Sequence, residues 1–268
     1  MIYKTFLLLA LSAFSLFGAE FESFVKYKVG YGIFTLGEAE ASLTINDNGS
    51  YKTEVSAKAK GGLVSALSRH RVETYVSEGV VVDNMLIPYR FVKSSSYGNK
   101  KRHIEFSWDY DNMNILMESE NCKDGDCKYS SEILSGDKYA KDDILTLYHN
   151  IMFDFNKTGA KEINASAIGS KKPVVIMLPE GKRLKTAKKT FDDKEGTYII
   201  AILNQEIFTS DKGELYVNVD SDNTASKAVL KKTMLFGDVW GEQIEKRITG
   251  KRAAQQNGTN EGENLTKF

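Results

Sequence analysis

Val25-Lys-Tyr-Lys-Val-Gly-Tyr-Gly-Ile33, followed closely by Glu38-Ala-Glu-Ala-Ser-Leu-Thr-Ile45, decides the fold of this chain. Val25, Tyr27, Val29, Tyr31 and Ile33 alternate with Lys26, Lys28, Gly30 and Gly32. Ala39, Ala41, Leu43 and Ile45 alternate with Glu38, Glu40, Ser42 and Thr44. A period of two sends successive side chains to opposite faces, so each segment reads as a strand with one buried and one wet face. Asn46-Asp-Asn-Gly49 is a turn, and Tyr51–Lys60 returns with Val55, Ala57 and Ala59 on one side. The same pattern predicts strands over Val72–Ser77, Gly79–Met85, Tyr89–Ser95, Arg102–Trp108 and Asn114–Glu120. It resumes over Lys161–Ile168, Pro173–Leu178, Leu184–Phe191, Thr197–Leu203, Leu215–Asp220, Ser226–Phe236 and Asp238–Ile248. Strand, polar turn, strand is the grammar of an antiparallel meander.

Two segments break it. Ile144, Leu147, Tyr148, Ile151, Met152 and Phe155 recur at the spacing of one helical face. The break runs from Lys138 to Phe155, and Asp142 and Asp143 stand where first-turn acids favour the helix dipole. Gly61-Gly-Leu-Val-Ser-Ala-Leu67 is short, small and apolar, and is read as a helical turn over a sheet edge. Strands continue on both sides of the helix without a linker, so residues 20–249 read as a single β-rich domain.

The ends differ. Lys4 precedes the apolar run Phe6–Phe17, and Gly18-Ala19 offers small residues for cleavage. This is the layout of a signal peptide over residues 1–19, with an uncleaved inner-membrane anchor as the alternative. It places the rest of the chain in the periplasm. Residues 250–268 are rich in Gln, Asn, Gly and Glu without apolar periodicity, and read as a disordered tail. The charge balance is 36 basic to 36 acidic side chains, interspersed. It leaves no excess of cations to displace counterions from nucleic acid, and no polybasic signal for anionic lipid.

The two cysteines, Cys122 and Cys127, flank Lys-Asp-Gly-Asp. In an oxidising compartment the pair reads as a disulfide across a hairpin tip, since Asp124-Gly125 is a strong turn signal. Free thiols and redox use are the alternatives. A metal site would want further soft ligands nearby, and a redox pair two intervening residues.

Several strings, in order, resemble one family. They are Tyr27-Lys-Val-Gly-Tyr-Gly-Ile-Phe-Thr-Leu-Gly-Glu-Ala-Glu-Ala41, Asn84-Met-Leu-Ile-Pro-Tyr-Arg-Phe91, His103-Ile-Glu-Phe106, Asp143-Ile-Leu-Thr-Leu-Tyr148 and Leu235-Phe-Gly-Asp-Val-Trp240. Together they resemble the exported Gram-negative family catalogued as domain of unknown function 3108, over most of residues 25 to 245. The resemblance implies a curved, incompletely closed antiparallel barrel with a covering helix, broadly similar to periplasmic lipoprotein carriers. It implies no reaction, so no catalytic residue is carried over.

The residues themselves offer no catalytic constellation. His70, His103 and His149 show no ligand spacing and read as structural or surface histidines. No nucleophile elbow and no phosphate loop is present. The run Lys182-Arg-Leu-Lys-Thr-Ala-Lys-Lys189 reads as a solvated hairpin. Asp154-Phe-Asn156-Lys-Thr158 and Glu162-Ile-Asn164-Ala-Ser166 match the acidic-x-Asn-x-Ser/Thr acceptor of bacterial N-glycosylation, which makes Asn156 and Asn164 candidate sites.

The expectation is therefore a non-catalytic envelope protein whose curved sheet surrounds one amphipathic helix. It shelters an apolar ligand such as a lipid, without a cofactor or metal. The candidate ligand residues are Tyr27, Tyr31 and Phe34 on the first strands, Leu63 and Leu67 in the Gly61–Leu67 segment, which is expected to close the mouth as a lid, and Tyr148 and Ile151 on the helix. The alternative is a structural or assembly factor that binds another envelope protein.

Overall fold

The computed structural model describes residues 19–60, 70–168, 174–202, 213–233 and 237–250. The expected signal peptide falls outside these residues apart from Ala19, the first residue of a strand. The lid residues Leu63 and Leu67 and the expected tail after Gly250 also lie outside them.

The first run is a meander of eight strands: β1 (Ala19–Tyr31), β2 (Phe34–Asn46), β3 (Ser50–Ala59), β4 (Val72–Val82), β5 (Met85–Tyr97), β6 (Lys100–Asp109), β7 (Asn114–Lys123) and β8 (Asp126–Leu134). Helix α1 (Ile144–Thr158) follows. The second run is β9 (Glu162–Ala165), β10 (Val174–Met177), helix α2 (Gly181–Thr190), β11 (Thr197–Ile202), β12 (Glu214–Val219), β13 (Ala225–Thr233) and β14 (Gly237–Gly250).

All the strands join one 14-stranded sheet, in the order β8-β7-β6-β5-β4-β3-β2-β1-β14-β13-β12-β11-β10-β9. Each neighbouring pair is antiparallel, and β1 pairs with β14, so the first and last strands lie at the middle of the sheet. The chain runs outward to one edge at β8, crosses through α1 to the other edge at β9, and returns. The edges β8 and β9 do not pair with each other. Register shifts between Lys26 and Tyr27, between Val29 and Gly30, and between Glu78 and Gly79 add the local bends that curl such a sheet.

Turn chemistry fixes the register. Asp83 and Asn84 both have positive φ, as a two-residue hairpin requires. They join β4 to β5. The expected strands Val72–Ser77 and Gly79–Met85 are one strand, β4, from Val72 to Val82; the second expected strand overran into the turn, and Met85 opens β5. Asp124 and Gly125 make the same kind of turn between β7 and β8, with φ values of 55° and 91°. The Cys122–Cys127 disulfide clips that tip, as expected. Gly30 serves a different need: a Cβ there would come within 2.1 Å of the Trp240 ring, whose Nε1 donates to the Gly32 carbonyl at 2.9 Å.

The face of the sheet that meets α1 is called the inner face here. On it Phe91, Ile104, Phe106, Trp108 and Ile115 form one cluster with Leu145 of α1. Val174, Ile176, Ile199, Ala201 and Val219 form another with Leu147, Ile151 and Phe155. The helix thus packs against both arms of the curled sheet.

The second helix corrects two expectations. Leu184–Phe191 is not a strand, and Lys182–Lys189 is not a hairpin; both lie in α2 and its C-cap, Phe191. Leu184, Ala187 and Phe191 recur at helical spacing and pack on the outer face against Met177, Tyr198, Ile200 and Tyr216. β10 and β11, packed by α1 on the inner face and α2 on the outer face, are therefore largely buried on both faces, which explains the unbroken apolar run Tyr198–Ile202 in β11. Gly250, read as the first residue of the tail, is the last residue of β14. Among the described residues no helix is long and apolar enough to cross a membrane.

Candidate functional site

The site begins with how α1 is anchored. Asp143 is its N-cap rather than a first-turn acid: its carboxylate accepts from the backbone of Leu145 and Thr146 at 2.7 and 3.1 Å. Thr146 Oγ1 in turn accepts from the Asp143 N–H at 2.9 Å, completing a capping box. Ser77 of β4 donates to the other oxygen of Asp143 at 2.7 Å. One turn on, Asn150 accepts from Leu86 N–H and donates to Leu86 C=O, both at 2.8 Å. Asp143, Thr146 and Asn150 are fully buried. Burial raises the carboxyl pKa of Asp143, and the hydrogen bonds it accepts oppose that rise. The helix is thus moored by polar contacts to β4 and β5, and its apolar side is free to face inward.

On that side lies a cavity of about 760 Å³. Phe91, Ile104 and Phe106 form one wall; Ile176, Ile199 and Val217 form the other; Leu147, Ile151 and Met152 of α1 line the space between. This is within the roughly 300–1,000 Å³ range of small-molecule sites. A second space of about 60 Å³ adjoins it beside β1–β3. Val55, Leu145, Tyr148, Met152 and Asn223 touch both.

The cavity has a charged rim made by Arg71, Glu73, Lys93 and Arg102. Glu73 accepts from Arg71 Nε at 2.9 Å and from Tyr75 OH at 3.0 Å. Burial disfavours the Glu73 charge, but the bonds from Arg71 and Tyr75 outweigh it and hold the carboxyl below its ordinary pKa. The Lys93 ammonium lies 5.3 Å from the centre of the Tyr75 ring.

The expected ligand residues divide. Ile151 lines the large cavity and is 5% exposed. Tyr148 lines both spaces, and Tyr27 lines the small one. Their hydroxyls converge on one residue of β13: Tyr27 donates to the Ala225 carbonyl at 3.0 Å, and the Ala225 N–H donates to Tyr148 at 2.9 Å. Burial raises both phenol pKa values. Tyr148 therefore keeps a partly open ring flank but a tethered hydroxyl. Tyr31 and Phe34 line neither space. Phe34 stands at the β1–β2 tip, 63% exposed, because the hairpin carries it beyond the sheet's wall. Sequence reasoning missed the rim cations and the Asp143 and Asn150 moorings. The strand parity of Lys93 and Arg102 was their only trace, and it acquires meaning once the inner face is known.

The other candidates are dispersed. His149 Nε2 lies 3.0 Å from Thr53 Oγ1, and His103 Nδ1 lies 3.0 Å from Ser94 Oγ. Glu120, Cys122 and Cys127 come together, but both sulfurs are bonded to each other. Asn156 lies in the last turns of α1, and Asn164 is exposed on the edge strand β9.

The fold and site define a class: an open, curled antiparallel sheet with a helix inside it and an apolar cavity between them. Residues 26–134 match the family described as protein of unknown function (DUF3108), in agreement with the resemblance of the sequence strings in that region. The match ends before α1, so the Asp143–Tyr148 and Leu235–Trp240 strings lie beyond it. No curated protein shows a sequence match to this chain. Among solved structures, a β-barrel-like protein of domain of unknown function DUF1849 from Brucella abortus is similar at a TM-score of 0.51 and 9% identity. The likeness covers 87% of this chain and 99% of that one. It concerns the fold alone.

Proposed function

We propose that this is a non-catalytic, exported envelope protein that binds an apolar ligand such as a lipid between α1 and the curled sheet. The observation that carries the reading is the cavity of about 760 Å³, walled by aromatic and aliphatic side chains of two sheet arms and one helix. A helix that merely plugged the sheet would bring enough side-chain volume to fill this space. The periplasmic assignment rests on the N-terminal sequence and accords with a paired cysteine couple. Mass spectrometry of material isolated without detergent tests the reading. A stoichiometric lipid is expected, and an empty protein that also fails to bind a fluorescent fatty-acid probe would end it.

One observation favours a second reading, assembly with another envelope protein. β8 is an edge strand exposed along nearly its whole length, with Tyr129 75% and Ile133 65% exposed. Such an edge offers unpaired backbone groups to another strand. A protein partner in pull-down that is lost when a proline is placed at Ser131, a non-hydrogen-bonded position of the β7–β8 ladder whose N–H faces the free edge, would favour this reading.

A further inference from the structure

The lining of this cavity carries an excess of positive charge that the neutral composition conceals. Residues paired directly across an antiparallel ladder share a face. Tyr75 pairs with Lys93 and Lys93 with Ile104; Glu73 pairs with Ser95 and Ser95 with Arg102. Two adjacent rows of the inner face therefore bring Lys93 and Arg102 beside apolar cavity wall. On the outer face Glu105 of β6 pairs across the ladder with Glu118 of β7, and His103 with Glu120, while Arg90 of β5 is held there by Glu78 and Glu105. Among the described residues that line the cavity, Glu73 is the sole carboxylate, against Arg71, Lys93 and Arg102. Three cations less one carboxylate leave an excess of two positive charges.

Arg71 is the cation already committed to Glu73. Arg102 makes no salt bridge among the described residues and is exposed, so its guanidinium is accessible from solvent. Lys93 is half-buried, with its stem along the wall and its ammonium over the Tyr75 ring. This arrangement holds a charged head at the edge of an apolar space.

Building on the proposed binding of an apolar ligand, we infer that the ligand is an amphiphile with an anionic head. Its acyl chain lies beneath α1, and its carboxylate or phosphate is bound by Lys93 and Arg102 at the rim. A fatty acid and a phospholipid offer this same chemistry. The head group gains charge-assisted hydrogen bonds where the chain gains burial.

The test uses the full exported chain and four probes of one chain length: dodecanoate, dodecyl phosphate, dodecanol and dodecyltrimethylammonium. Each displaces a neutral fluorescent acyl probe. At least one anion is expected to bind about tenfold or more tighter than dodecanol, with dodecyltrimethylammonium weakest. The relative affinities of the two anions distinguish a fatty-acid from a phospholipid source. Lys93→Met with Arg102→Met should weaken the anions about tenfold and leave dodecanol within about twofold. Arg102→Gln alone, at an exposed position, should give a smaller loss of the same selectivity and guards against misfolding of the double variant. Dodecanol binding as tightly as both anions, or unchanged anion selectivity in folded variants, overturns the head-group inference and leaves apolar binding intact. Failure of the wild type to bind any of the four removes both.

Discussion

At the residue scale, the groups that matter most are small polar ones under α1. Asn150 satisfies both backbone groups of Leu86 in a site with no water-exposed surface. Asn150→Ala leaves a buried N–H and a buried C=O unpaired, and should lower stability by about 2–4 kcal/mol in urea denaturation. Asp142, next to the cap, is pushed by burial from 3.8 up to about 6, against the pull of Lys141 and the bond from Asn150. Its folded-state pKa exceeds the unfolded value, so between those two values the folded state holds a proton that the unfolded chain has released. Stability should therefore fall as pH rises through that window and stay lower above it. Asp142→Asn keeps an acceptor for Asn150 and should raise stability at neutral pH by at most about 3 kcal/mol, with little gain near pH 4. Thermal melts at the two pH values check this. The disulfide was legible because two cysteines flank a turn. Its closed loop is short and its position exposed, so Cys→Ser at both positions should cost no more than about 2 kcal/mol. Intact-mass analysis should show a gain of two hydrogens on reduction of protein isolated from an oxidising compartment.

At the element scale, α1 was legible because its apolar stripe is regular. Leu147, Ile151 and Phe155 face the inner side and are buried. Ile151→Ala should cost about 2–5 kcal/mol through lost burial and an enlarged cavity, read by thermal unfolding. The stripe did not reveal that Ile144 and Tyr148 remain 43% and 39% exposed, since they border an unfilled space rather than core. Helix α2 was misread because Leu184, Ala187 and Phe191 are spread through a basic run, and such sparse apolar residues fit either period. The two glycosylation strings now separate. Asn164 lies exposed on an edge strand, whereas the Asn156 string lies within α1, where Thr158 Oγ1 donates to the Asp154 carbonyl at 2.6 Å. In a host that glycosylates such strings, Asn164 should be modified ahead of Asn156 in folded protein. Glu162→Ala should abolish the modification at Asn164. Peptide mass spectrometry checks both, and equal occupancy would contradict the ordering.

At the scale of the whole molecule, the pairing of β1 with β14 makes one sheet of two meanders, and α1 carries the chain from one free edge to the other. That geometry explains how an interior can stay partly empty. The two arms are held apart by the helix moored between them, rather than zipped into a closed barrel. It also places charge. Strand parity sends Lys93 and Arg102 inward at the rim, while Glu105, Glu118 and Glu120 face outward together with Arg90, which is ion-paired with Glu105.

The sequence by itself left β8 unread and took Leu184–Phe191 for a strand, but it determined most of the strands, their antiparallel order, the main helix, the hairpin disulfide and the resemblance that the family match bears out over residues 26–134. These are local properties: a period of two, a period near 3.6 and turn residues act over a few positions. Tertiary structure alone decided which strands lie at the centre, that α2 covers the outer face, and that Phe34 leaves the cavity while Lys93 and Arg102 reach it. Those outcomes depend on register and on packing between residues far apart in the chain. A strand's pattern says which side chains share a face, but only the folded sheet says what that face encloses.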